Sequence, residues 1–168
     1  ERLFDTVLLG GGPVSAVLAE ALHGLRTRVF HGYGSTETVT HVALRALNGP
    51  EAADHFTALG TVRFAVDDRG CLVVHTPHLR TTEHRTNDMV ELLDDRRFRW
   101  LGRSDNVILS GGKKLFPEAP EARTGAVVHK PHFFLAMPDE GLGQCTVLVL
   151  EGAPLAGEDE AALLAALE

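Results

Sequence analysis

Up to Asn48 the chain pairs short apolar runs with one helical period; beyond Pro50 its apolar runs come in twos, separated by charged or glycine-bearing turns. Thr6-Val7-Leu8-Leu9 predicts a buried strand. Gly10-Gly11-Gly12 follows, and Pro13 suits a first helical position. Val14, Val17, Leu18, Ala21, Leu22 and Leu25 recur at helical spacing, which predicts an amphipathic helix over 13–24, ended by Gly24. Arg28-Val29-Phe30 predicts a second strand that leads into a loop at Gly32 and Gly34. Residues 5–34 thus read strand–helix–strand, an α/β unit.

After Asn48-Gly49-Pro50, three hairpins are expected. Val62–Val66 and Leu72–His75 flank the turn Asp67-Asp68-Arg69-Gly70. Met89–Leu93 and Phe98–Leu101 flank Asp94-Asp95-Arg96-Arg97. Val107–Leu109 and Lys114–Phe116 flank Ser110-Gly111-Gly112. A short helix is expected around 117–123, interrupted by Pro120. Val127-Val128, Phe133–Met137 and Thr146–Leu150 are strand candidates, and the acidic start Glu158-Asp159-Glu160 suits a helix N-terminus. The expected class is therefore α/β plus α+β, with a boundary near Gly102-Arg103.

Composition narrows the possibilities. The 168 residues are 44% hydrophobic and 23% charged, which supports a buried core and excludes a disordered chain. The net charge of −7, with no basic run, argues against a nucleic-acid partner. Cys71 and Cys145 read as reduced thiols. No apolar stretch is long enough to span a bilayer and no leader precedes the first strand, so no membrane partner and a cytoplasmic location are expected. Glu1 stands where a Met would begin a chain, and Leu163–Glu168 ends inside a helical pattern, so a piece of a longer protein is expected.

Two segments carry the chemistry. Gly32-Tyr33-Gly34-Ser35-Thr36-Glu37-Thr38 offers an aromatic face that can stack on a purine. It also offers hydroxyls for phosphate oxygens and a carboxylate of the kind Mg²⁺ accepts beside substrate phosphates. Its alternative is a polar loop capped by Ser and Thr. Gly10-Gly11-Gly12 lets backbone approach a phosphate or a flat ring, or simply turns the chain. It matches neither the dinucleotide pattern nor a P-loop. His75/His78 and His129/His132 each bracket a proline, so helical metal spacing does not apply to either pair.

Gly32-Tyr33-Gly34-Ser35-Thr36-Glu37 resembles the Y-G-x-T-E signature of adenylate-forming enzymes, which include acyl-CoA synthetases, peptide-synthetase adenylation domains and luciferases. Thr86-Asn87-Asp88 is similar to their T-G-D, with Asn in place of Gly. Gly102-Arg103-Ser104-Asp105 through Gly111-Gly112 to Pro117-Glu118 is similar to their hinge signature. The context Thr36–Arg45 looks most like the O-succinylbenzoate–CoA ligases of menaquinone biosynthesis.

The resemblance implies a fold: residues 1–102 as the C-terminal part of the large adenylation domain, and 103–168 as most of a small α+β lid. It implies that the parent joins a small-molecule carboxylic acid to coenzyme A, using ATP and Mg²⁺ and releasing AMP through an acyl-adenylate. Tyr33 would stack on adenine within a nucleotide loop that includes Gly34 and Ser35. Thr36 would touch phosphate, Glu37 would hold the metal, and Asp88 would accept the ribose hydroxyls. Arg103 would approach ribose or phosphate, and Asp105 would be the hinge. Gly111 and Gly112 would line a pantetheine tunnel. Gly11 and Gly12 would line the nucleotide and acyl side. His41, which flanks the nucleotide loop, could touch the acyl substrate or simply pack in the core or at the surface. Lys113 and Lys114 could meet CoA phosphates or simply form a solvated hairpin tip. The family's glycine-rich phosphate loop would precede residue 1 and its catalytic lysine would follow residue 168. Two further readings stay open: a non-catalytic AMP- or acyl-adenylate-binding fragment, and an adenylation domain that loads a carrier protein.

Overall fold

The computed structural model describes residues 4–125, 127–153 and 157–167. It divides into two compact units, one built from the chain up to Trp100 less residues 15–17, the other from Leu101 onward together with residues 15–17.

The first unit is an eight-stranded sheet. Its strands are β1 (Thr6–Leu9), β2 (Arg28–Gly34), β3 (His41–Ala46), β4 (Phe56–Ala58), β5 (Arg63–Val66), β6 (Cys71–His75), β7 (Glu83–Asp94) and β8 (Arg97–Arg103). The order is β1-β2-β3-β4-β8-β7-β6-β5. β1 and β2 run parallel, joined by α1 (Ala16–Leu22), so the predicted strand–helix–strand unit is present. The helix is shorter than the predicted 13–24, and Val17 and Leu18 on its apolar stripe stay 49% and 43% exposed. With seven residues, α1 closes too few turns to persist by propensity. Asn48 secures its end: the side-chain amide donates to Leu22 O at 3.0 Å and Thr27 O at 2.9 Å, while Oδ1 accepts the Val29 N–H at 2.9 Å.

Hairpins β5–β6 and β7–β8 form where they were expected. Their core gathers around Phe98, fully buried, which stacks on Phe56 at 5.3 Å and meets Phe64 and Tyr33 edge-on at 4.9 and 5.1 Å. Arg96, in the β7–β8 turn, donates to the backbone carbonyls of Val62 and Ala58, so this turn also anchors the entry to β5.

The second unit holds β9 (Ile108–Ser110), β10 (Lys113–Leu115), α2 (Glu118–Thr124), β11 (His132–Asp139), β12 (Gly143–Leu150) and α3 (Gly157–Leu167). Its sheet runs β10-β9-β12-β11. The predicted third hairpin is β9–β10, and the predicted strands at Phe133–Met137 and Thr146–Leu150 lie in the paired β11 and β12. The predicted terminal helix is α3; Glu168 lies outside the described residues.

At Pro120 and at Val127-Val128 the structure departs from the sequence pattern. Pro120 does not interrupt α2: it occupies the first turn, where a backbone N–H has no intrahelical partner to lose. Val127-Val128 is not a strand. Both N–H groups turn back onto Thr124 O at the end of α2, which satisfies them locally.

Candidate nucleotide site

The segment 32–34 is not the loop that its glycines suggested. It completes β2 and pairs with β3, with a register shift between Tyr33 and Gly34. The glycines answer to neighbours. A Cβ at Gly32 would fall 2.4 Å from the His41 ring, one at Gly10 would fall 2.7 Å from it, and one at Gly34 would fall 2.4 Å from Thr40 O. The imidazole of His41 is thus wedged between the Gly10 turn and β2. The Gly10–Gly12 turn is tied again by His31, whose Nε2 lies 3.0 Å from Gly12 O. Arg45 Nη2 lies 3.4 Å from His31 Nδ1. Arg45 can only donate, so His31 is the neutral tautomer that carries its proton on Nε2. Burial, with the adjacent Arg45 cation contributing, holds His31 below the ordinary imidazole range despite its bond to Gly12. Gly11, at φ 89°, adopts a conformation suited to glycine.

Two motif segments of this unit meet through side chains. Tyr33, half-buried, donates its hydroxyl to Asp88 Oδ2 at 2.6 Å, across 55 positions of sequence. Trp100 Nε1 donates to Asp88 Oδ1 at 3.1 Å. The Asp88 N–H in turn donates to Thr86 Oγ1 at 3.1 Å. The bonds from Tyr33 and Trp100 orient the Asp88 carboxylate. The predicted site residues Tyr33 and Asp88 therefore meet. Trp100 is a partner that the sequence reading missed; its signal was an indole N–H needing an acceptor when packed against a core.

Ser35, Thr36 and Glu37 lie exposed between β2 and β3. The Glu37 carboxyl is held below its ordinary range, first by its own backbone N–H and then by the Ser35 hydroxyl. Among the described residues no cluster of three or more His, Cys, Asp or Glu side chains could hold a metal alone. One ionised carboxylate at an exposed tip fits a Mg²⁺ that arrives with substrate phosphates and keeps its waters, rather than one caged by protein.

In the second unit, Arg103 and Asp105 form a two-pronged ion pair at 2.9 and 2.7 Å, both half-exposed. That pair holds the Asp105 carboxyl below the usual range. Gly102, at φ 150°, sits against Glu118: a Cβ there would lie 2.5 Å from Glu118 Oε2. Glu118 Oε1 accepts from Asn106 Nδ2 at 3.1 Å and from the Arg103 N–H at 3.4 Å. Gly111 and Gly112 form the β9–β10 turn at φ 55° and 79°, the left-handed pair that a tight hairpin demands. Space beside Gly112 is open, so its turn geometry alone accounts for the glycine.

No family model matches the chain. It is 42% identical to an acyl-CoA synthetase (AMP-forming)/AMP-acid ligase II-like protein of Dyadobacter fermentans, over 95% of this chain and 47% of that one, with a TM-score of 0.57. It is 25% identical to the 2-succinylbenzoate–CoA ligase of Listeria monocytogenes, over 95% of this chain and 38% of that ligase. The Bacillus subtilis o-succinylbenzoate CoA synthetase, solved with its acyl-adenylate intermediate, shares the fold at a TM-score of 0.75 and 20% identity, over 95% of this chain and 39% of that one. The fold is thus that of the C-terminal part of an adenylate-forming enzyme. The chain is similar to part of the AMP-forming acyl-CoA synthetases, and it spans less than half the length of these relatives.

Proposed function

We propose that the chain is part of an ATP-dependent acid–CoA ligase, with residues 1–102 contributed to its large domain and 103–168 to its lid, working in the cytoplasm. The observation that carries this reading is the Tyr33–Asp88 bond, which brings the two nucleotide motifs of the first unit to one place. In this reading the Tyr33 ring borders adenine and the Asp88 carboxylate takes the ribose hydroxyls. Thr36 and Ser35 face phosphate, and Glu37 is the ligand for Mg²⁺, which would offset phosphate charge. Arg103, once released from Asp105, approaches the nucleotide as the lid turns about Asp105. Positioning and charge stabilisation then do most of the catalysis.

The acid we propose is O-succinylbenzoate, supported by the Thr36–Arg45 context and by the named activity of the Listeria relative. The test is pyrophosphate release by the whole protein with ATP and O-succinylbenzoate, followed by thioester formation on adding free CoA. Pyrophosphate without thioester favours transfer to a carrier protein. No pyrophosphate with this acid, but release with another aromatic acid, removes the menaquinone assignment and keeps the ligase.

A second reading applies to the 168-residue chain by itself: an AMP- or acyl-adenylate-binding piece without turnover. The coverage of 38–47% of its relatives favours it. Titration with AMP tests it directly; absence of any binding at millimolar AMP, or turnover by the chain alone, removes it.

A further inference from the structure

The β2–β3 connection presents Glu37 at an exposed tip, yet Thr38 beside it is only 3% exposed. The Thr38 hydroxyl oxygen accepts the Ser35 N–H at 2.9 Å. Its proton has two carbonyls within reach, Thr40 O at 3.0 Å and Ser35 O at 3.1 Å. One hydroxyl thus ties the start of the connection to its end. The Val39 N–H closes a turn onto Thr36 O at 3.1 Å. Val39 itself is held at φ 67°, a conformation that β-branched residues avoid, although its side chain is 77% exposed and gains little from packing. The backbone path is therefore imposed by the bonds around Val39, Thr38 foremost. Gly34 leaves the room that Thr40 O occupies.

We propose that Thr38 is a positioning residue, whose buried hydroxyl sets the loop that presents the Glu37 carboxylate to a divalent cation carried by a nucleotide polyphosphate. This deepens the ligase reading and rests on it. The threonine's volume fills the gap under the loop, and its hydroxyl fixes the path; two variants separate these. Thr38→Val keeps the volume and loses the hydroxyl, whereas Thr38→Ser keeps the hydroxyl.

The experiment measures pyrophosphate release by the whole protein against Mg²⁺ concentration, at saturating ATP and acid. Thr38→Val is expected to raise the half-saturating Mg²⁺ about tenfold with kcat changed less than about threefold, and Thr38→Ser to stay within about twofold of the unsubstituted protein. Equal half-saturation in Thr38→Val and the unsubstituted protein overturns the proposal, as does a loss in kcat alone. Two measurements need no turnover. In the unsubstituted protein the Ser35 amide should be protected from hydrogen exchange, and free exchange there overturns the tether even if Thr38→Val does not fold. Mn²⁺·ATP should broaden Glu37 resonances in the unsubstituted and Thr38→Ser proteins and not in Thr38→Val. A protein that shows this broadening but releases no pyrophosphate with any acid defeats the ligase reading while sustaining the role of Thr38.

Discussion

The Tyr33 hydroxyl and the Asp88 carboxylate lie 2.6 Å apart, although β2 and β7, which carry them, are not neighbours in the sheet. Trp100 on β8 binds the other carboxylate oxygen, so three strands converge on one acidic side chain. Asp88→Asn can keep both contacts, since a tyrosine hydroxyl can accept from an amide NH2 while the amide oxygen accepts from indole. We expect it to cost about 1 kcal/mol of stability or less. On the proposed assignment it should nonetheless lower AMP affinity at least about tenfold, because a ribose hydroxyl would lose a charged acceptor. Denaturant melts read the first effect and AMP titration the second.

Asn48 carries more of the first unit's integrity than its place in an Asn-Gly-Pro turn suggests. Asn48→Ala leaves Thr27 O and the Val29 N–H without the Asn48 amide and takes one of two donors from Leu22 O, inside a site where Asn48 is 5% exposed. A loss of roughly 2–4 kcal/mol is expected. Thermal and chemical unfolding of the variant beside the unsubstituted chain check it. A change within about 0.5 kcal/mol contradicts the assignment of Asn48 as a structural hub.

Val39→Asn should stabilise the chain. Asn tolerates the left-handed conformation that Val39 occupies, and the exposed valine side chain gives up little packing. A gain of about 1 kcal/mol is expected. A midpoint of unfolding that falls instead would show that valine is not strained there.

His31 gives stability a definite pH dependence. Its folded pKa lies below 6.5, so between that folded value and 6.5 the unfolded chain binds more protons than the folded one. Stability therefore rises with pH through this window; on acidification it falls below 6.5 and levels off once the folded imidazole protonates. His31→Gln keeps a hydrogen-bonding side chain without titrating. Denaturation midpoints at several pH values between 5 and 7.5 should converge for the two proteins on the acid side. Parallel curves would mean that His31 does not contribute.

Legibility from sequence followed how local the determining forces were. The hairpins β5–β6, β7–β8 and β9–β10 were readable because each turn announces itself: Asp-Asp-Arg-Gly, Asp-Asp-Arg-Arg and Ser-Gly-Gly lie between apolar runs. β3 and β4 were not. Phe56–Ala58 is three residues long and is a strand only because β3 and β8 pair with it. The extension of β2 through Gly34 was hidden for a related reason. Two glycines suggest a loop when read locally, but here they make room for the His41 ring and Thr40 O, which arrive from the facing strand. The candidate site was half legible. Tyr33, Glu37 and Asp88 stand out by residue type and motif, whereas Trp100, His31 and Thr38 matter through partners that only the folded chain supplies.

Trp100 is the single tryptophan of the chain, and its indole N–H is committed to Asp88. The molecule therefore carries its own optical gauge at the candidate ribose position. Any ligand that draws on the Asp88 carboxylate must alter the charge facing the indole, and with it the emission wavelength, without a label or an added probe. Fluorescence of the unmodified chain thus reads occupancy at one known oxygen.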